Sequence, residues 1–493
     1  MIRKVFQFIL AMIIAFSLIS SGCTPTALPT EEPTEQTETS PEPTMALPAP
    51  TSPPMEPTET PLDTEPTEQP EPEEPPALAG PDPSGQYIEL WHPWGYGIQH
   101  ETLQGIIEEF NNNNEWFIHI EAENIGGYSD IEEAMNEGIQ SGDLPNLVVA
   151  YSSSLADWLQ KDIMVDMNDL IYDQQYGLSE EQITDFFETA FFGTVLENGT
   201  RVGFPLSQSI NLIYYNSTWA NELGFDSAPK SIDEFKDQAC AATAANADDD
   251  NPDNDGTGGL VMFTGSSNVV SWIFSFGGDI ISDDDSGYDF TTPETEAVAV
   301  FLKEIWDDDC AFRTQSYPHP EFATRKALFI MNSSVGIPYQ LDAFEADDAF
   351  PSDEWIFIPF VGPEGGEAVN AFSQTIGMVN TTPEKNLAAW LFLKYLSSPE
   401  TQATWIKGSA YYPTRKSVPA LLIDYATANP QWKTGQDLLA IGNSEPARAS
   451  WANVRREVQN TFSAILQGDY DQIVPLLEEL DALAAEAVAE LDQ

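Results

Sequence analysis

A break in composition near residue 84 limits what this chain can fold into more than any motif does. Residues 24–84 are dominated by Pro, Thr and Glu, hold about half of the chain's prolines, and contain no aromatic side chain and no Lys, Arg or His. Such a segment cannot bury enough apolar surface to offset the entropy lost on ordering, so residues 23–85 are expected to be a disordered spacer. Its proline density and like charges make it semi-stiff, on the order of 100 Å or more in reach at about 3 Å per residue. Nearly all of the Trp, Tyr and Phe lie beyond it, in residues 86–493, a length that suits two ordinary domains with a sizeable core.

Ahead of the spacer come Arg3 and Lys4, an apolar run over 5–19, and Ser20-Ser21-Gly22-Cys23. A cationic flank, a hydrophobic run too brief for a comfortable span and small residues at its end describe an export signal over residues 1–22. A cysteine directly after such a run resembles the lipobox of bacterial lipoproteins. That implies a lipid on Cys23 and a chain anchored to the cell membrane, facing outside, with the spacer holding the folded part off the surface; an ordinary secretory signal is the alternative. Only Cys240 and Cys310 remain, and in an exported chain they are expected to form a disulfide, two separate buried thiols being the other outcome. The formal net charge of −61 excludes nucleic acid and anionic lipid surfaces as partners, because phosphate recognition needs clustered Lys and Arg.

Beyond the spacer, short apolar strands alternate with amphipathic helices. Tyr87-Ile88-Glu89-Leu90-Trp91 reads as a strand, and Leu103, Ile106, Ile107 and Phe110 recur at helical spacing until an asparagine run at 111–114 stops the helix. Alternation over 117–120 predicts the next strand. A capping box, Ser129-Asp130-Ile131-Glu132, predicts a second helix carrying Met135 and Ile139, ended by Gly142, and Leu147-Val148-Val149-Ala150 predicts a third strand. Strands separated by helices predict a parallel sheet. The pattern changes at Gly203-Phe204-Pro205-Leu206 and resumes in a new unit. Ser231-Ile232-Asp233-Glu234 is another capping box; Thr292-Pro293-Glu294, Thr382-Pro383-Glu384 and Ser398-Pro399-Glu400 each place a cap, a proline at the first helical position and an acid facing the helix dipole. Residues 476–491 are apolar at helical intervals and read as a packing helix.

The runs Leu90-Trp91-His92-Pro93-Trp94, Gly142-Asp143-Leu144-Pro145-Asn146-Leu147-Val148, Gly203-Phe204-Pro205-Leu206 with Tyr214-Tyr215-Asn216, and Pro229-Lys230-Ser231-Ile232-Asp233-Glu234-Phe235 follow one another in a telling order. Phe276-Gly277-Gly278-Asp279, Lys326-Ala327-Leu328-Phe329 and Tyr411-Tyr412-Pro413 continue it. Over essentially all of residues 86–493 the series resembles the family 1 extracellular solute-binding proteins of ABC importers, which include maltose-binding and glycerol-3-phosphate-binding types. The resemblance implies an α/β, two-lobe periplasmic-binding-protein fold of type II, closing on its ligand like a hinge with several chain crossings. Lobe one is expected from about 86–206 and 360–398, lobe two from about 207–359 and 399–493, with crossings near Pro205 and Ser209, near Ile358-Pro359-Phe360, and between Ser397 and Thr401. A small-molecule ligand, ABC permease subunits as partners, a monomer and no cofactor are what the resemblance implies.

Ligands of open α/β sheets sit at the carboxyl ends of strands, which singles out the loop after the first strand, with His92 and the candidate aromatic platforms Trp91 and Trp94. Tyr128 matches a ligand-contacting tyrosine of the glycerol-3-phosphate-type proteins. Ser207, Gln208 and Ser209 match their serine-bearing hinge, Asn332 and Ser333 their second-lobe serine loop, Ser373 their glycine-rich loop, and Tyr411 the tyrosine before a proline. Arg455 matches the arginine that holds the phosphate, and Ser152, Ser153, Trp272 and Phe372 complete the candidate ligand-binding set. A glutamate of that branch falls on Ser152 and its tandem tryptophans fall near Thr264 and Ser267, so a sugar or polyol is expected over a phosphate ester.

The run Asn251-Pro252-Asp253-Asn254-Asp255-Gly256-Thr257 has the opening spacing of a calcium loop, but Met262 stands where a bidentate glutamate is needed, so an EF-hand is excluded; an acidic surface turn is expected, with a looser calcium clip as the alternative. His92, His100, His119 and His319 lack metal-ligand spacing and a cysteine partner. No catalytic residue is expected; an exported glycosidase, and a surface sensor or adhesin using the same cleft, are the alternatives of other classes.

Overall fold

The computed structural model describes residues 80–196 and 198–491; the expected export signal, Cys23 and nearly all of the spacer lie outside the described residues. β1 (Tyr87–His92) leads through α1 (Gly97–Asn113), β2 (His119–Asn124), α2 (Tyr128–Ser141) and β3 (Leu147–Ala150) into α3 (Ser152–Gln160). β1 lies between β2 and β3 and is parallel to both, as helical crossovers require. All four residues of β3 are buried, which suits its unbroken apolar sequence.

Two local expectations need correction. The second strand begins at His119, not at residue 117, because Phe117 has φ +54° and is exposed. The asparagine run explains the delay. Asn114 exchanges hydrogen bonds with the N–H and C=O of Ile118, and Asn111 does the same with Ile120, so two side chains stand in for a neighbouring strand. At α2 the helix starts at Tyr128 with Gly127 at its N-cap, and the cap comes not from Ser129 but from Asp130, whose carboxylate accepts the Gly127 N–H at 2.6 Å. The helices entered at Ser231, Thr292, Thr382 and Ser398 are capped by those side chains as expected, although the box at Ser231 is half-formed, Glu234 accepting the Lys230 N–H at 2.7 Å in place of the Ser231 N–H.

β4 (Phe204–Asn216) is a long strand with all of its thirteen residues buried. After it come α4 (Ile232–Asp248), β5 (Gly258–Val261), α5 (Ser266–Ser275), α6 (Pro293–Asp307), β6 (Ala311–Phe312), β7 (Ala327–Ser333), β8 (Trp355–Ile358), β9 (Phe360–Val361) and β10 (Glu367–Met378). Then follow α7 (Pro383–Leu396), α8 (Pro399–Ser409), β11 (Gly442–Ser444), α9 (Trp451–Gln467) and α10 (Ile473–Leu491). The sheet runs β2-β1-β3-β10-β4-β7-β5-β6, with β8 on β4 and β9 and β11 on β10. The parallel reading of the sequence holds for β2-β1-β3 and for β7-β5-β6. It misses the centre, where β10 and β4 pair antiparallel with each other and with β3 and β7.

The apolar neighbours change along both central strands. Phe204 and Leu206 of β4, with Ile376 and Met378 of β10, pack with β1, α1 and α7, whereas Ile210, Leu212 and Tyr214 of β4 and Val369 of β10 pack with Ile330, Phe357 and Trp432. Between these stretches lie the polar residues Ser207, Gln208 and Gln374, each buried and each bonded. Ser207 Oγ donates to Gln374 Oε1 and accepts from Trp405 Nε1, while Gln208 Nε2 donates to the Pro413 carbonyl. Pro205 has no N–H for the ladder, and the register shifts opposite it, between Gln374 and Thr375. α8 packs on both sides of this switch, Trp405 with the first group and Ala403 and Ile406 with the second.

Cys240 on α4 and Cys310 before β6 form the expected disulfide across 70 residues. The chain at Cys310 runs so close to β5 that a Cβ on Gly259 would fall 2.0 Å from the Cys310 carbonyl oxygen, and the helix so close that it would fall 2.8 Å from that of Ala239, so glycine is required there. Replacing both cysteines by Ser is expected to lower the unfolding free energy by at most about 4 kcal/mol. Urea unfolding with and without reductant measures this: the reductant should erase the difference, and equal midpoints under oxidising conditions would refute it.

Candidate functional site

A cleft opens where the loop after β3, the middle of β10 and the segment entering α9 converge. It holds about 500 Å³ of space, its open mouth included. Tyr151, Ser152 and Ser153 line it from the C-terminal end of β3, where a buried strand gives way to the first turn of α3. Ala371, Phe372 and Ser373 line it from β10; Ser444, Glu445, Pro446, Trp451 and Arg455 come from the end of β11 and from α9. Thr189 and Gly193 complete the wall.

The aromatic part is pre-organised. Tyr128, the first residue of α2, stacks on Tyr151 with centroids 4.5 Å apart and planes 27° apart, and Phe372 meets Tyr151 edge-on at 6.5 Å. The Tyr128 hydroxyl accepts from Gln374 Nε2 at 3.0 Å, and the same amide donates to the Tyr411 hydroxyl. Gln374 therefore joins the cleft to a buried aromatic group behind it, in which Trp94 meets Trp405 at 4.8 Å and Tyr411 stacks on Trp405 at 5.9 Å. Ser152 Oγ lies 3.4 Å from Thr375 Oγ1.

Electrostatically the cleft is organised around one ion pair. Arg455 Nε lies 3.1 Å from Glu445 Oε2, the two side chains being 16% and 7% exposed. Arg455 also donates to Ser266 Oγ at 3.0 Å and to Ser267 Oγ at 2.7 Å, and its guanidinium sits 4.5 Å from the centre of the Tyr151 ring. Glu445 accepts from Trp451 Nε1 at 2.7 Å and from Asn370 Nδ2 at 2.8 Å. Burial works against the charge on Arg455, but Glu445 and Tyr151 beside it outweigh that and its pKa is raised. Burial pushes the Tyr151 hydroxyl up, Arg455 opposing.

Of the residues singled out in the sequence, Tyr128, Ser152, Ser153, Phe372, Ser373 and Arg455 come together here. Ser207 and Tyr411 reach the cleft only through Gln374. Gln208 and Ser209 are buried in the β4 ladder, Gln208 bonded to the loop at Tyr412 and Pro413. Asn332 and Ser333 end β7, where Asn332 Nδ2 lies 3.1 Å from His319 Nε2 and the Ser333 carbonyl accepts from the Tyr214 hydroxyl. Trp272 is not brought to the cleft: it is fully buried among Phe235, Phe301 and Phe360, with its indole N–H directed at Met331 Sδ. Trp91 bonds to Glu89 Oε1, and Trp94 is buried beneath the site, not on its surface. Sequence reasoning passed over Tyr151, Glu445, Trp451 and Gln374. The position of Tyr151 directly after a buried strand was a usable signal; Glu445 lies in a stretch without periodicity and had none.

The loop from Asp249 to Thr257 spends its side chains on its own turns: Asp249 accepts from Asn251 N and Asn254 Nδ2, and Asn251 from Asp253 N. Among the described residues no group of three or more His, Cys, Asp or Glu is placed to hold a metal ion, and no helix is long and apolar enough to cross a membrane.

A sequence model of a bacterial extracellular solute-binding protein family matches residues 105–438. No curated protein matches the chain in sequence. In structure the chain is similar to the cyclic alpha-maltosyl-1,6-maltose binding protein of Arthrobacter globiformis, at 19% identity and a TM-score of 0.66, over 81% of this chain and 99% of that one. It is similar to an ABC substrate-binding protein of Listeria monocytogenes in complex with cycloalternan, at 17% identity and a TM-score of 0.69, over 82% and 99%. UgpB of Mycobacterium tuberculosis in complex with glycerophosphocholine gives 17% identity and a TM-score of 0.69, over 82% and 100%. These likenesses identify the fold as the two-lobe α/β arrangement of periplasmic binding proteins, as the sequence implied.

His92 yields a prediction in pH. It is fully buried at the end of β1; its Nδ1 accepts the Trp94 N–H at 3.2 Å, which places the ring proton on Nε2. Burial first, and His100 second, push its pKa down to about 4. The folded state thus refuses a proton that the unfolded chain accepts below about 6.5, so the stability tied to neutral His92 is present above pH 6.5 and lost as the pH falls towards 4. From the pKa of about 4, the loss amounts to about 3 kcal/mol. His92→Gln should flatten the acid limb of a stability–pH curve by that amount; superimposable limbs would refute the assignment.

Proposed function

We propose a function for a chain that belongs to the bacterial extracellular solute-binding proteins: it captures a sugar or related polyol between two lobes and delivers it to the permease subunits of an ABC importer. Lobe one comprises about 86–206 and 375–398 and lobe two about 207–374 and 399–493; the second crossing lies in β10 near Gln374 and not near Ile358-Pro359-Phe360, because Phe360 and Val361 pack in the core that holds Trp272 and Val369 still packs with the second group. Cys23 bears the lipid that holds the monomer at the outer face of the cell membrane.

The observation that carries this reading is the composition of the cleft wall. The Phe372 ring offers apolar surface and Tyr151, held between the Tyr128 ring and the Arg455 guanidinium, offers its edge, while Ser152, Ser153, Ser373 and the Arg455–Glu445 pair place donors and acceptors around them. A pyranose needs both, since its C–H faces stack on aromatic rings and its hydroxyls each donate and accept. The wall also draws from both proposed lobes, Tyr151 from one and Arg455 from the other. A solute touching both therefore favours the closed form by its extra contacts there, and affinity and closure become one equilibrium. Capture of this kind needs neither a cofactor nor a covalent intermediate.

Thermal-shift screening of the full chain against monosaccharides, oligosaccharides and glycerol phosphates tests the proposal, with product analysis to detect turnover. A solute bound with a micromolar dissociation constant and present at hundredfold excess should add about 2.7 kcal/mol of stability. Tyr151→Ala should weaken binding of that solute by about thirtyfold, roughly 2 kcal/mol, with the fold intact. Stabilisation by no carbohydrate, or release of a hydrolysed product, would overturn the reading.

A further inference from the structure

The ion pair in the cleft is unusual for a site meant to receive an anion, because the cation already has a fixed counter-ion. Arg455 is the group that would hold a phosphate or carboxylate. Yet Glu445 Oε2 sits 3.1 Å from its Nε, and Ser266, Ser267 and the Tyr151 ring surround the rest of the guanidinium. Nor can Glu445 easily leave. Its Oε1 accepts from Asn370 Nδ2 and its Oε2 from Trp451 Nε1, and the parallel pairing of β11 with residues 369–371 of β10 delivers the preceding residue, Ser444, to the same place.

We infer that Glu445 is a specificity-determining residue: by neutralising Arg455 from within the protein, it closes the cleft to anionic solutes and leaves it selective for uncharged polyhydroxylated ones. The inference rests on the cleft being the solute site. An anion approaching Arg455 meets the Glu445 carboxylate in the same wall, and because both groups are largely buried, water does little to damp the repulsion. A cation meets the mirror problem at Arg455. A neutral hydroxyl suffers neither, since it can donate to the carboxylate and accept from the guanidinium at once. The formal net charge of −61 acts in the same direction at long range, slowing the approach of anions. Asn370 and Trp451 are positioning residues in this scheme, acting through the carboxylate they hold.

The test is titration calorimetry of the full chain with glucose, maltose, glucose 1-phosphate, glycerol 3-phosphate and inorganic phosphate. The unaltered chain should bind none of the three anions. Glu445→Gln should gain tenfold or more in affinity for the phosphate esters, the gain should fade with added salt, and Arg455→Gln in the same background should abolish it. A phosphate ester bound by the unaltered chain at micromolar concentration overturns the inference whether or not any variant folds. A Glu445→Gln protein with native circular dichroism and no gain for anions overturns it too. The two readings separate cleanly: an anion gain in the variant with no sugar bound by either form would sink the carbohydrate reading and keep the charge gate. Sugar binding with no anion gain would do the reverse.

Discussion

The antiparallel pairing of β4 with β10 is the constraint on which the rest of this structure depends. Both strands run between two sets of apolar partners, and both are bordered by further strands on either side, so neither can shift register without carrying a whole flank of the sheet with it. Their midpoints are polar, which would be costly in a buried strand if the groups were unpaired. Ser207, Gln208 and Gln374 are instead bonded to one another or to the loop at Pro413, so the switch between the two cores is hydrogen-bonded, not apolar. Apolar surface cannot slide freely across such a point, and a link of this kind confines motion to a few backbone positions while leaving each core intact.

The cleft inherits its geometry from that link. Gln374 occupies the middle of β10 and through one amide fixes the hydroxyls of Tyr128 and Tyr411, so the aromatic wall and the buried group of Trp94, Trp405 and Tyr411 are oriented by the same residue that marks the switch. One strand position thus serves both the switch between the cores and the wall of the cleft. The other wall depends on β11, a three-residue strand whose pairing with β10 carries the chain to Glu445 beside Asn370 and within reach of Arg455. A buried pair of this sort adds little net stability, because desolvation of both charges opposes their attraction. The consequence proposed for it is selectivity.

Much of the architecture was legible because it is local. Helix starts at Thr292, Thr382 and Ser398 could be read from three adjacent residues, since capping is a contact between a side chain and an N–H three positions on. The parallel flanks followed from strands alternating with helices. The antiparallel centre did not, because β10 meets β4 across a separation that leaves no trace in the periodicity of either. At the site, Tyr128, Ser152, Ser153, Phe372, Ser373 and Arg455 were named in the sequence and do converge, whereas Trp272 was named and belongs to the core. A tryptophan on an amphipathic helix has the same sequence signature whether its ring faces a cleft or a neighbouring phenylalanine.

By itself, the sequence determined several helix starts, the alternation of strands and helices that makes the chain α/β, and that Cys240 and Cys310 were available to pair. Each of those depends on composition or on contacts within a few residues. Tertiary structure alone decided which strands share an edge, that Trp94 lies beneath the site and not in it, and that Arg455 faces Glu445. Charge selectivity depends on distances between side chains that folding brings together from segments far apart in the chain, and nothing in the linear order of residues encodes such a distance.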